Sequence, residues 1–172
     1  MTRRLRRRPK LDSSQLVDTS GVQRTDRRIA PFRSVREGGG AWSTEQLDHD
    51  RPALFLFLSG NCDGCVPFAN ALRSPRSSGL VLEETVIVAI APGDSGGIEL
   101  VVDSAAEVPV LLGPEPWAAF HVHGAPFFAL FDPVTHTLLT EGVAWEVAQV
   151  RRHCLAAYKG EDLSVPRLDA HD

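Results

Sequence analysis

The feature that most constrains the fold is an unbroken apolar run, ALFLFL at residues 53–58, that leads directly into SGNCDGC. The run is strand-sized, too short to cross a membrane, and it does not alternate between apolar and polar residues. A strand of this kind is buried on both faces, as in the centre of an α/β sheet. Residues 63–72 then predict a helix, with Pro67 in its first turns, where a missing N–H costs little.

Further apolar runs downstream alternate with helix-like segments. We expect a buried strand at residues 86–91, a strand at 108–112 and a short helix opened by the prolines of PEPWAAFHV. The stretch PFFALFDPVTHTLLTEGVA indicates a β-hairpin of residues 127–131 and 138–143. Residues 145–158 indicate an amphipathic helix, with Val147, Val150, Cys154 and Leu155 on its apolar face. This order predicts an α/β fold with a mixed central sheet, a parallel βαβ unit plus a C-terminal antiparallel hairpin, flanked by helices.

The polarity pattern divides the chain into one domain and two tails. Residues 1–40 begin with the basic stretch MTRRLRRRPK, lack sustained periodicity and end in EGGG. We interpret them as a flexible basic tail with at most a short packed segment at IAPFRSV. The folded domain is expected over residues 41–160, and a second flexible tail over 161–172. The arginines at the start can add affinity for an anionic surface.

Charge and hydropathy argue against two broad classes of protein. The net charge of −4 at pH 7 disfavours general affinity for nucleic acid. No apolar run reaches transmembrane length, and the basic start is followed by the polar stretch LDSSQLVDTSGVQRTDRR instead of the apolar core of a signal peptide. We therefore predict a soluble, cytoplasmic protein with no specific nucleic-acid partner and no transmembrane segment.

Cys62 and Cys65 lie where the strand is expected to end and the helix to begin. In a reducing compartment, such a pair is more often chemical than structural. The free amide groups and partial positive charge of a helix start stabilise a thiolate. Cys62 is therefore the expected nucleophile, and Cys65, one turn further on, is placed to resolve a mixed disulfide. Asp63 adds an opposing negative charge beside that thiolate.

This pattern resembles the thioredoxin-like superfamily, which combines a CxxC pair with a later cis-proline. The stretch HVHGAPFFALFDP is similar to the family's run around that proline, and FLFLSGNCDGC with VPVLLGPEPWAAFHVHGAPFF is most similar to the TlpA- and MauD-like branch. The resemblance implies a thioredoxin-like fold, with Pro126 in the cis form facing the cysteines and Ala125 contacting the substrate. It also implies a thiol–disulfide oxidoreductase that acts on a disulfide or dithiol of a partner protein without a cofactor or metal.

Two positions depart from the family's pattern. Asn61 stands where a tryptophan usually precedes the first cysteine, and Leu56 stands where thioredoxins often keep a buried acid that shuttles a proton. These departures favour a specialised partner over general disulfide reduction. The three tryptophans of the chain, Trp42, Trp117 and Trp145, are expected to pack in the core or at its edge.

Other interpretations of the cysteine pair stay open at this point. With His121 and His123, the two cysteines form a Cys2His2 set that suits zinc or copper, although alternate residues of an extended segment point to opposite faces. The domain could instead be redox-silent, or peroxide could oxidise Cys62 to a sulfenic acid on which Cys65 closes. Cys154 is expected to pack as a small apolar residue on the last helix.

Overall fold

A mixed β-sheet forms the centre of the computed structural model, which describes residues 22–24, 26–80, 82, 84–93, 98–105 and 107–160. The predicted tail at residues 161–172 and the first 21 residues of the predicted N-terminal tail lie outside the described part of the chain. None of the described helices is both long and apolar enough to span a bilayer.

Strands and helices follow the predicted order from residue 53 onward. The strands are β1 (Val22–Arg24), β2 (Arg33–Arg36), β3 (Ala41–Ser43), β4 (Ala53–Phe57), β5 (Val86–Ala91), β6 (Val110–Leu112), β7 (Phe127–Asp132) and β8 (Thr137–Val143). The α-helices are α1 (Val66–Leu72), α2 (Ile98–Ser104), α3 (Pro114–Ala119) and α4 (Val147–Tyr158). Two 3-10 turns, Thr44–Gln46 and Asp63–Cys65, complete the described secondary structure.

The sheet has the order β1-β8-β7-β4-β5-β6-β2-β3. Strand β4 runs parallel to β5, and β5 runs parallel to β6. Strand β7 runs antiparallel to β4 on one side and to β8 on the other. The predicted parallel βαβ unit and C-terminal hairpin are both confirmed. Because β7 is antiparallel, its first residues lie at the same sheet edge as the carboxyl ends of β4, β5 and β6.

The domain begins earlier than the sequence predicts. Strand β1 pairs with β8, and β2 pairs with both β3 and β6, so the predicted boundary at residue 41 is wrong. Ile29 is buried, and the Phe32 ring lies 5.7 Å from the rings of Trp42 and Phe120, centroid to centroid. Strand β2 carries little apolar periodicity, because its only buried residue is the polar Ser34.

Two apolar layers cover the sheet, one on each face. The layer beneath α1, α2 and α4 contains Leu54 and Leu56, whereas the opposite layer contains Phe55 and Phe57 together with Phe120. All five residues of β4 are buried, which explains why the strand shows no alternation of apolar and polar residues. Strand β4 is therefore fixed from both faces and from both neighbouring strands.

Helix α4 packs through a face that differs in part from the predicted one. Val150 and Cys154 are buried as expected, but Leu155 is exposed. His153 is buried instead, with its ring 6.2 Å from that of Phe128, centroid to centroid. Because histidine is a polar residue type, the sequence pattern did not indicate that His153 belongs to the buried face of the helix.

An ion pair attaches the N-terminal segment to the sheet. Arg27 Nη2 lies 2.9 Å from Glu141 Oε2 on β8 and donates a second hydrogen bond, of 2.8 Å, to the carbonyl oxygen of Phe120. The Glu141 side chain is only 9% exposed, so it depends on this partner to offset its lost hydration.

We expect Arg27→Ala to lower the free energy of unfolding by about 1–3 kcal/mol, because it leaves a buried carboxylate without its cation. Arg28→Ala is the matched control: its side chain is exposed, and we expect a change within about 0.5 kcal/mol. Urea unfolding of both variants measures the difference. Equal stabilities of the two variants would contradict this role of the ion pair.

Candidate redox site

The two cysteines follow β4 at the carboxyl edge of the parallel strands. Cys62 has extended backbone, with φ of −127°, and immediately precedes the 3-10 turn Asp63–Cys65, which continues into α1. The Cys65 N–H donates a hydrogen bond of 3.0 Å to the Cys62 carbonyl oxygen and closes this turn. The predicted helical run over residues 63–72 is therefore present with a tighter first turn. Pro67, in the first turn of α1, has no N–H to leave unsatisfied.

The sulfur atoms of Cys62 and Cys65 lie at disulfide distance from each other, and their Cα atoms are 5.3 Å apart. The two sulfurs differ in access. Cys65 is completely buried in the apolar layer beneath α1, whereas Cys62 is half-buried at its margin. A reactant from solution can therefore reach Cys62 but not Cys65.

The peptide bond between Ala125 and Pro126 is cis, as the resemblance implied, and it directly precedes β7. Phe127, the next residue, pairs with Phe57 at the end of β4, so the prolyl turn lies beside the cysteine turn. The Cys62 Sγ atom lies 3.5 Å from the Ala125 carbonyl oxygen, to which a reduced thiol can donate. The structure thus brings all four predicted site residues together.

Trp145 also reaches this site, which the sequence pattern does not predict. We expected it in the core or at its edge, but it is 59% exposed. A β-carbon added at Gly64, between the two cysteines, would lie 2.7 Å from Cζ3 of Trp145 and 3.3 Å from Cδ of Pro126. The indole and the proline ring therefore both lie close against the backbone of the CxxC turn, and a glycine there makes room for them.

Cys154, the third cysteine, stays outside this site. Its side chain lies in the core on α4, and burial raises the pKa of the thiol from 9.0 to about 12. The thiol is therefore protonated at neutral pH, whereas the thiolate is the reactive form of a cysteine. The predicted packing role of Cys154 is confirmed.

The histidines of the metal hypothesis do not join the cysteines. Both His121 and His123 are exposed, and His121 has a left-handed backbone, with φ of 54°, just after α3. Across the described residues, no three or more histidine, cysteine or acidic side chains come together as a possible metal site. His123 instead lines an open groove of about 640 Å³. The other lining residues of this groove are Pro92, Gly93, Gly113, Pro114, Trp117 and Val122.

Solved structures share this fold over most of the chain. A secreted disulfide oxidoreductase from Mycobacterium tuberculosis, homologous to E. coli DsbE, aligns at 19% identity over 73% of this chain and 95% of its own, with a TM-score of 0.58. A DsbF homologue from Corynebacterium diphtheriae aligns at 12% identity over 83% and 94%, with a TM-score of 0.60. StoA from Bacillus subtilis aligns at 15% identity over 73% and 97%, with a TM-score of 0.54.

These comparisons identify the fold as thioredoxin-like, as predicted. No protein-family model and no curated protein matches the sequence.

After reduction, we expect iodoacetamide to alkylate Cys62 in the folded protein and to leave Cys154 unmodified. A rise in pKa from 9.0 to about 12 lowers the thiolate fraction of Cys154 about a thousandfold at neutral pH, and unfolding should restore it. Peptide mass spectrometry, with and without urea, measures both rates. Equal rates for Cys154 in the folded and unfolded protein would contradict its burial.

Proposed function

We propose that this chain is a thiol–disulfide oxidoreductase that exchanges electrons with a partner protein through Cys62 and Cys65. The observation that carries the proposal is the pair itself. One half-buried sulfur and one buried sulfur lie at bonding distance, beside the Ala125 carbonyl at the carboxyl ends of the parallel strands. The names of the structural neighbours, which include disulfide oxidoreductases, support this activity.

The reaction consists of two displacements at sulfur. The Cys62 thiolate attacks one sulfur of the partner's disulfide, forms a mixed disulfide and releases the partner's other sulfur as a thiolate, which takes up a proton. The Cys65 thiolate then attacks Cys62 Sγ and forms the Cys62–Cys65 disulfide. The partner sulfur that was bonded to Cys62 leaves as a thiolate and is protonated. Two electrons pass to the partner, and the same steps in reverse return them.

The prolyl turn supports binding of an extended partner chain. Ala125 is half-buried beside Cys62, and it lies immediately before β7. A partner segment that pairs with the backbone at Ala125 would bring its own sulfur to Cys62. The resemblance to the thioredoxin-like superfamily implies the same contact.

Proton transfer in this site differs from that expected of a general reductase. Leu56 is 1% exposed within the apolar layer, and no residue of β4 carries a carboxylate. We propose that the proton of Cys65 leaves to water or to a group of the partner. This dependence favours a dedicated partner that completes the site.

We expect the reduced protein to reduce hydroxyethyl disulfide and to form the Cys62–Cys65 disulfide, seen as a loss of two hydrogens by mass spectrometry. Cys62→Ser should abolish the reaction, because it removes the accessible nucleophile. Cys65→Ser should accumulate the mixed disulfide on Cys62, because the resolving thiolate is missing.

Cys154→Ser is the matched control, and we expect its rate to stay within about twofold of the natural chain, because a protonated buried thiol takes no part. Turnover by Cys62→Ser at the rate of the natural chain would contradict the proposed function. Stoichiometric zinc or copper bound by the reduced protein and lost in Cys62→Ser would favour a metal-binding role instead.

A further inference from the structure

We propose that Trp145 determines the substrate specificity of the redox site by forming an apolar wall for a side chain next to the partner's reactive cysteine. This inference rests on the proposed function and deepens it. It names the substrate class as protein segments in which an apolar residue flanks the cysteine.

The indole lies against the backbone of the turn between Cys62 and Cys65. It lies against Gly64, the residue between Asp63 and Cys65, where it shares the space above the backbone with the Pro126 ring. The Ala125 carbonyl oxygen, on the prolyl turn, lies 3.5 Å from Sγ of Cys62. A partner chain that lies along Ala125 with its sulfur on Cys62 therefore has its neighbouring side chains within reach of the indole.

The exposure of the indole is unusual for a tryptophan of this chain. Trp145 is 59% exposed, whereas Trp42 is 3% exposed and the Trp117 ring packs 5.2 Å from that of Phe57, centroid to centroid. Val66, the residue after Cys65, is 41% exposed as well. An exposed indole against the CxxC turn, with an exposed valine directly after Cys65, indicates a contact surface, and tryptophan is a common anchor in such surfaces.

Local hydrogen bonding holds the backbone of this residue in place. The Trp145 N–H donates a hydrogen bond of 3.0 Å to Oε1 of Gln149 in the first turn of α4. Ala144, the preceding residue, is 1% exposed in the layer that also contains Cys65. The indole is thus carried on an anchored backbone, so a ligand that contacts it spends little free energy on ordering that segment.

Three peptides test the proposal with defined probes. Each has the sequence glycine-serine-X-cysteine-X-serine-glycine, with the cysteine blocked as a disulfide with mercaptoethanol and X as leucine, serine or lysine. We expect the reduced protein to prefer the leucine peptide over the serine peptide about tenfold in kcat/KM, equivalent to about 1.4 kcal/mol. Hydroxyethyl disulfide is the reference substrate without a peptide.

Variants of the wall should change this preference. We expect Trp145→Ala to reduce the leucine-to-serine ratio to about twofold or less, and Trp145→Phe to keep most of it, because an aromatic ring remains. Gly64→Ala should also reduce the ratio. This variant keeps the indole, but the added methyl group would push the indole out of its position. Val134→Ala is the control and should leave the ratio unchanged. It shortens an apolar side chain that is 66% exposed in the turn between β7 and β8.

The outcomes separate this inference from the function on which it rests. Failure of the natural chain to reduce hydroxyethyl disulfide would overturn the exchange activity itself. Exchange without a preference for leucine, a preference for lysine, or a preference that survives Trp145→Ala would overturn the role of Trp145 and leave the exchange activity standing.

Discussion

The pairing of β4 with β7 is the constraint on which the site depends. In its register, Phe57 at the end of β4 lies opposite Phe127 at the start of β7. The chain leaves Phe57 toward Cys62, and it enters Phe127 from Pro126, so two turns that are distant in sequence meet at one edge. A slip of one residue would exchange the leucine face of β4 with its phenylalanine face, and the packing of the two different layers opposes that slip.

Unequal burial of the two sulfurs gives the pair its direction of attack. Cys65 belongs to the apolar layer beneath α1, and Cys62 lies at its margin. In the proposed exchange, a mixed disulfide therefore forms at Cys62, and Cys65 lies at bonding distance to resolve it. Cys154 shares the same layer, but burial keeps it protonated. Cys65 and Cys154 are thus buried in the same layer, and Cys65 differs in lying at bonding distance from Cys62.

Sequence predicted the parts of this molecule that rest on continuous apolar runs or on a family pattern. The run at β4 and the runs around Cys62 and Pro126 indicated the sheet and its site. Strand β2 has no apolar pattern in the sequence because its side chains are mostly exposed, and the contact of Trp145 with Gly64 joins residues remote in sequence, so neither could be predicted. Asn61 stands at the position before the first cysteine where thioredoxin-like proteins usually have a tryptophan. Trp145, from the segment before α4, brings an indole to the CxxC turn. The cytoplasmic location stays a prediction.

We propose that Cys62 and Cys65 act as one reversible pair. The most direct test is a titration of the purified chain against dithiothreitol redox buffers of defined potential, with the pair monitored by thiol trapping and mass spectrometry. If the two cysteines form such a pair, we expect a single reversible transition with the slope of a two-electron couple, about 30 mV for a tenfold change in the ratio of the two forms. A slope of about 59 mV, as for a one-electron couple, or no reversible transition would contradict it.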